Sequence, residues 1–409
     1  MNLINNIKSF ATQQKLAPNK DKLLQSFLKK GFPTTKEENW KYTSLKKITD
    51  CEFSIEEGGE EISEKEIQKY SLGFKHQIVF VNGLLVAKAN IDGVNISDFS
   101  DFDTKNTDSI SLLNSALAKK GFSIKVKDNT IVESPIEILF FSNTTNANFT
   151  QYRNKIIVGD NSQIKFVERI QNLSDAKCFI NHFTQINIGE NANVEYNKIQ
   201  DNRSNSMLID KMNLYQLKNA NAIVNTLIFG GGFIRNTLSF EQNGSNCESN
   251  MNGVSILDNN QFADNHTFVD HKQPFCRSNE MYKGVYLGNS RGVFNGKIMV
   301  RPNAQKIDAF QANNNLVLSE SASIDSKPQL EIYADDVKCS HGCTIGQLDE
   351  DAVFYMRSRG IREAEANAVL TYAFASEAIN NINIPKVKKM AQKLIAKKLN
   401  VDLDFIHND

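Results

Sequence analysis

Ile156-Ile157-Val158-Gly159-Asp160-Asn161-Ser162-Gln163-Ile164 returns 30 residues later as Ile186-Asn187-Ile188-Gly189-Glu190-Asn191-Ala192-Asn193-Val194. It returns more loosely, 29 residues further on, as Tyr215-Gln216-Leu217-Lys218-Asn219-Ala220-Asn221-Ala222-Ile223. Fainter echoes are Tyr286-Leu287-Gly288-Asn289-Ser290-Arg291-Gly292-Val293 and Val317-Leu318-Ser319-Glu320-Ser321-Ala322-Ser323-Ile324. Each unit is a short strand, a tight turn of Gly, Asn or Ser, and another short strand. Self-similarity at such a period marks a solenoid, whose coils bury their apolar faces only by stacking on neighbours. Asn suits the turns because it tolerates left-handed backbone angles and bonds its own backbone. A stacked β-helix is the first reading of 130–340, and an antiparallel sandwich the second.

The texture differs on either side. Leu3, Ile7, Phe10 and Ala11 fall on one helical face, and Leu23, Leu24, Phe27 and Leu28 on another, with Gly31-Phe32-Pro33 ending the second helix. Trp40, the only tryptophan, reads as a packing anchor. From Gln77, apolar runs such as Ile78-Val79-Phe80-Val81 alternate with Asn82-Gly83 and Asp92-Gly93 turns, a strand signature. An acidic, Ser-rich stretch from Ser97 to Ile110 reads as a loop, and Leu112–Ala118 as a short helix stopped by Gly121. Helical patterning resumes at Asp349, a cap followed by Glu350 and Asp351 at the positive dipole end, and closes at Gly360. A second helix carries Val369, Leu370, Ala373 and Phe374 as its stripe. A third opens at Pro385, with Val387, Met390, Ala391, Leu394 and Ile395 on one side and lysines elsewhere; that stripe needs a cover. The expected division is a helical region 1–75, a β-helix 76–345 and a helical domain 346–409.

With 47 basic and 47 acidic residues among 409, no general attraction to nucleic acid or anionic membrane is expected. There is no secretory h-region at Met1–Lys8 and no long apolar run, so neither export nor a membrane span is expected. Cys51, Cys178, Cys247 and Cys276 lie far apart in sequence and read as small apolar groups of a reduced, cytoplasmic protein.

The chemistry concentrates in Cys339-Ser340-His341-Gly342-Cys343. On an extended segment these two thiols and the imidazole share one face. Such donors suit iron, zinc or copper rather than magnesium or calcium. One strand offers at most three ligands, and this spacing is not that of a zinc finger, so a complete site borrows ligands from elsewhere. His266 and His271, five residues apart, fall on opposite faces of a regular strand and read as structural. Neither a G-x-x-x-x-G-K-[ST] phosphate loop nor a G-x-S-x-G elbow occurs, so the chain is read as binding no ATP and as no enzyme. A carbohydrate-active β-helix would need a secretory signal and clustered carboxylates, and neither is legible. A stand-alone zinc-binding structural protein remains a rival reading.

The run from Cys339 to Gly342 with Phe354-Tyr355-Met356-Arg357-Ser358-Arg359-Gly360-Ile361 resembles the C-terminal signature of the SufB/SufD family of iron–sulfur cluster assembly proteins. Gln305–Gln311 and Asp325–Lys338 resemble it too, and Glu38-Asn39-Trp40-Lys41-Tyr42-Thr43 looks like the early motif of the SufD branch rather than the SufB type. The resemblance implies a mainly β protein, a central right-handed parallel β-helix with helical N- and C-terminal regions. It implies a scaffold subunit paired with SufB and with SufC, a separate ABC-type ATPase, and a transient iron–sulfur cluster at the SufB interface. In that picture His341, with Cys339 beside it, is the ligand, while Cys343, where relatives more often carry Ala, is either a further ligand or a packing residue. The terminal helices would dock SufC through Tyr355, Arg357, Arg359 and Phe374. Reduced flavin would serve as reductant at the level of the complex, though no flavin motif is legible. Whether isolated chains form a homodimer is left open.

Overall fold

The computed structural model describes residues 3–55, 58–98 and 108–400. The repeats fold into two parallel sheets of ten and nine strands, each strand hydrogen-bonded to one a full coil away, apart from antiparallel pairs at the start. The result is a parallel β-solenoid with helices at both ends of the chain. The first two repeat copies pair as read, Ile156 with Ile186 and Ile164 with Val194. The third is displaced by one residue: Ile186 pairs with Leu214, not Tyr215. Leu214 is buried and Tyr215 half-buried, because a one-residue slip in a strand exchanges its faces.

The asparagines earn their place at one corner. Asn129, Asn161, Asn191, Asn219 and Asn246 all have φ between 55° and 59°. Their side chains form a ladder, each Nδ2 donating to the Oδ1 one coil below at 3.1, 2.9, 2.7 and 3.2 Å. The column continues into Phe275 (φ 62°) and Lys306 (φ 61°), where no amide is available.

The helices cover the outer faces of the sheets. Leu3–Gln14 and Pro18–Lys30 belong to an apolar cluster with Phe149, Phe179, Met207 and Phe233 of one sheet. Trp40 lies on this side, its ring 3.7 Å from the Arg235 guanidinium, and Asn39 O accepts from Arg235 at 2.7 Å. Pro385–Leu399 lays Val387, Ala391 and Ile395 against Ile199, Leu227 and Val254 of the other sheet. The stripe expected to await a partner is therefore covered by the solenoid itself. In Glu363–Glu377 the buried face is Ala366, Thr371, Tyr372 and Ala375 rather than the predicted one; Ala373 is exposed, and Val369 and Leu370 half-buried. Tyr372 and Ala375 join a cluster with Ile256 and Val285 of the sheet, a choice of side that periodicity could not show. The short helix runs Ser109–Leu117, capped by Asp108 and ended at Ala118 before Gly121. Ser97 and Asp98 are in a strand, and 99–107, the bulk of the expected loop, lie outside the described residues.

The two ends of the solenoid differ. At the start, His76–Val81 pairs antiparallel with Leu84–Lys88, and Val94–Asp98 with Phe122–Val126. Behind them the lumen is filled by Phe80, Phe122, Phe140 and Tyr152, with Phe80 and Phe140 stacked at 4.9 Å. At the other end the sheets stop at Ser323–Ile332 and Val337–Gly346, each paired on one side only.

Candidate functional site at the open end of the solenoid

The last strand pairs Ala309 with Cys339, Gln311 with His341 and Asn313 with Cys343. Ala309, Gln311 and Asn313 are buried. Gln311 Nε2 donates to Glu280 Oε2 at 2.9 Å, and Glu280 accepts at 2.7 Å from Thr267 of the facing sheet. This row therefore points into the lumen, and Cys339, His341 and Cys343 extend it onto the final coil. Because no coil of the described residues lies above them, His341 and Cys343 are exposed and Cys339 half-buried. A chain that buries a coil by stacking leaves its last inward row as a donor surface.

Each donor has its own surroundings. Cys339, like Leu330 and Val337, packs against an apolar cluster that includes Ile298, Ile307 and Ala309, and burial, aided by the Asp308 carboxylate, raises its thiol pKa. Cys343 Sγ donates to Ser326 Oγ at 3.1 Å, and Ser326 donates to Asn313 Oδ1 at 2.7 Å. Residues two apart on a strand stand ~7 Å from each other. Donors to one metal must converge within ~2.0–2.3 Å of it. The row is thus an open line of donor atoms, not a closed chelate. Beneath it, burial raises Glu280 to about 7 despite the hydrogen bonds from Thr267 and Gln311. Gly296 makes room for Gln311, since a Cβ there would lie 2.2 Å from its amide nitrogen.

Apolar residues surround the open end: Phe310, Ile332, Tyr333 and Ile345 are exposed. The following helix, Glu350–Ser358, buries none of its residues, leaving Phe354 and Tyr355 72% and 59% exposed. Asp349 caps it, accepting from Asp351 N, and Gly360 (φ 87°) follows its end. Arg357 pairs with Glu363 at 3.2 Å and Arg359 lies 5.2 Å from the Tyr355 ring. Phe374 stands apart from these, half-buried on the solenoid with Lys283 Nζ 4.3 Å above its ring. A cavity of about 870 Å³ opens between Ile345 of the last coil and Val353, Phe354 and Arg357.

These features coincide with what the chain is similar to. The family described as "SUF system FeS cluster assembly, SufBD core domain" matches residues 140–374. The iron–sulfur cluster assembly protein SufD of Escherichia coli K12 is 31% identical over 94% of this chain and 93% of its own length. The chain belongs to the SufB/SufD family. Its likeness runs to the SufD branch, and its work is SufD-like participation in iron–sulfur cluster assembly. A SufBD family protein of Synechocystis is 28% identical over 89% of the chain and 87% of that protein. SufD of Bacillus subtilis is 25% identical over 79% and 74%. Among the described residues no helix is long and apolar enough to cross a membrane.

Sequence reading missed the polar interior. Glu168, His182 and Asp210 bring three donor atoms together inside the lumen. Lys198 Nζ lies 2.7 Å from Asp210 and His182 Nδ1 3.2 Å, while Tyr196 donates to Glu168 at 2.6 Å. Burial alone would raise the Asp210 pKa, but Lys198 and then His182 outweigh it and hold the carboxyl down to about 2. The Lys198 ammonium thus supplies the compensating cation. The signal was present: Glu168 pairs with Lys198 and His182 with Asp210, opposite charges one coil apart. It becomes legible only once the period is assigned strand by strand. His266 and His271 do face opposite ways, the first toward Asp264 at 3.0 Å and the second inward.

Proposed function

We propose that the chain is a non-hydrolytic scaffold subunit whose open coil pairs with a SufB-type subunit and there contributes His341, with Cys339 beside it, to a nascent iron–sulfur cluster. One observation carries this reading: a thiol–imidazole–thiol row on the inward face of an uncapped coil, spaced too widely to enclose an ion alone. The cluster is cargo, and a second polypeptide supplies the remaining ligands. Two half-paired edge strands with exposed apolar residues beside them suit continuation of both sheets across an interface. The helix Glu350–Ser358, with Tyr355, Arg357 and Arg359, would receive the SufC ATPase, and Phe374 would support that surface from the solenoid side. ATP hydrolysis in SufC would then shift the interface and expose the ligands, with reduced flavin as reductant for the complex. In this reading 1–75, 76–345 and 346–409 act as separate functional regions of a cytoplasmic protein.

Co-expression with SufB-like and SufC-like partners tests the assignment. His341→Ala should leave the complex intact and lower the yield of the iron–sulfur chromophore at least about tenfold, as expected for loss of a metal ligand or its support. An unchanged yield overturns the ligand role. Cys343→Ala in the same assay decides whether that thiol is a ligand or the packing partner of Ser326.

A further inference from the structure

Cys247 and Cys276 precede two strands that pair Glu248 with Arg277, so they are stacked one coil apart. Arg277 N donates to Cys247 O at 2.8 Å. Neighbouring strands lie ~4.7–4.9 Å apart, inside the ~4.4–6.8 Å Cα range that a disulfide spans. The thiols converge: Cys247 Sγ is 3.2 Å and Cys276 Sγ 3.4 Å from the same oxygen, Gly244 O. His271 is fully buried and bonded to Ser278 Oγ at 3.0 Å through Nε2, while its Nδ1 meets no hydrogen-bond partner among the described residues. A hydrogen bond from Cys247, supported by this imidazole, lowers the Cys276 pKa, and the same hydrogen bond raises that of Cys247. Both thiols are buried, and Cys247 lines a cavity of about 590 Å³ whose cations, Arg277, Lys306 and Lys338, are matched by Glu248, Asp308 and Asp336. The corner is strained: Phe275, immediately before Cys276, holds φ 62°, a conformation costly for an aromatic residue.

We propose that Cys247 and Cys276 are a peroxide-reactive dithiol, oxidised to a disulfide that ties two successive coils together. The thiolate of the pair attacks the O–O bond of hydrogen peroxide, forming a sulfenic acid and a hydroxide that takes up a proton as water. The second sulfur, giving its proton to the leaving oxygen, attacks the sulfenic sulfur; the S–S bond forms, the S–O bond breaks, and another water leaves. Two thiols and one peroxide become one disulfide and two waters. Neither residue belongs to the row at the open end, although Cys339 packs against the apolar cluster that holds both.

Peptide mapping of the full chain after brief peroxide treatment under native conditions tests it. Cleavage after Lys272 separates the two cysteines, so a linked peptide two hydrogens lighter reports the disulfide. Cys178, buried with its thiol pushed up to about 11, is the internal control. The linked peptide should form at least about tenfold faster than Cys178 is modified, in keeping with thiolate control of the rate. His271→Gln should slow it about tenfold. In Cys247→Ser, a variant that keeps the side chain's size, dimedone should label Cys276 as its sulfenic acid. No linked peptide, or a Cys276 unlabelled in the folded Cys247→Ser chain, overturns the proposal.

Discussion

The two ends of the solenoid are built from the same coil and finished in opposite ways. The first is closed by antiparallel pairs and packed with Phe80, Phe122, Phe140 and Tyr152. The last presents Cys339, His341 and Cys343 over a polar column of Gln311 and Glu280. A solenoid needs both ends protected, by capping or by a partner. One end carries thiols, an imidazole and strands paired on one side only, where the other carries stacked aromatics. The difference teaches that aromatic side chains hold this fold together at one end and leave chemistry free at the other.

That contrast can be broken by substitution. Phe140→Ala should cost roughly 3–5 kcal/mol by removing a fully buried ring, whereas His341→Ala at the exposed end should stay within about 0.5 kcal/mol; denaturant midpoints of both variants provide the comparison. Equal losses would mean that the open end is structural.

The second test concerns the column beneath the donors. The folded Glu280 pKa is raised to about 7 from 4.5. Its stabilisation is complete below the unfolded value and lost as pH rises through the folded one. Stability should therefore fall by on the order of 3 kcal/mol between pH 4.5 and 7 from this group. In Glu280→Gln that part of the fall should vanish, read from melting curves across this range.

The smallest effect concerns the corner where the asparagine ladder stops. Phe275→Asn offers an amide at a left-handed position and continues the ladder from Asn246. It should stabilise by about 1 kcal/mol, visible as a rise in melting temperature; a fall would mean that the exposed Phe275 ring supports the fold.

Much of this was legible in the chain. The recurrence of short apolar strands broken by Gly- or Asn-bearing turns gave the solenoid, because a coil must present apolar residues at the same place each time round. The asparagine turns followed from their tolerance of positive φ. The Cys–x–His–x–Cys alternation gave a common face. Register was less secure: the 28-residue step between Ile186 and Leu214 was read one residue long, since Leu214 and Tyr215 are both apolar enough to fit. The helix Glu363–Glu377 misled for a similar reason, being apolar on more than one side.

Sequence by itself determined the period, the turn chemistry and the donor atoms, because those depend on residue type and spacing along one strand. Only the tertiary structure decided which residues one coil apart become neighbours: Glu168 with Lys198, Cys247 with Cys276, Gln311 with His341. Coil lengths vary with each turn, so a step of 27 and a step of 31 bring equally close partners together. Contacts across coils are set by hydrogen-bond register, and register is settled by packing every inward face at once.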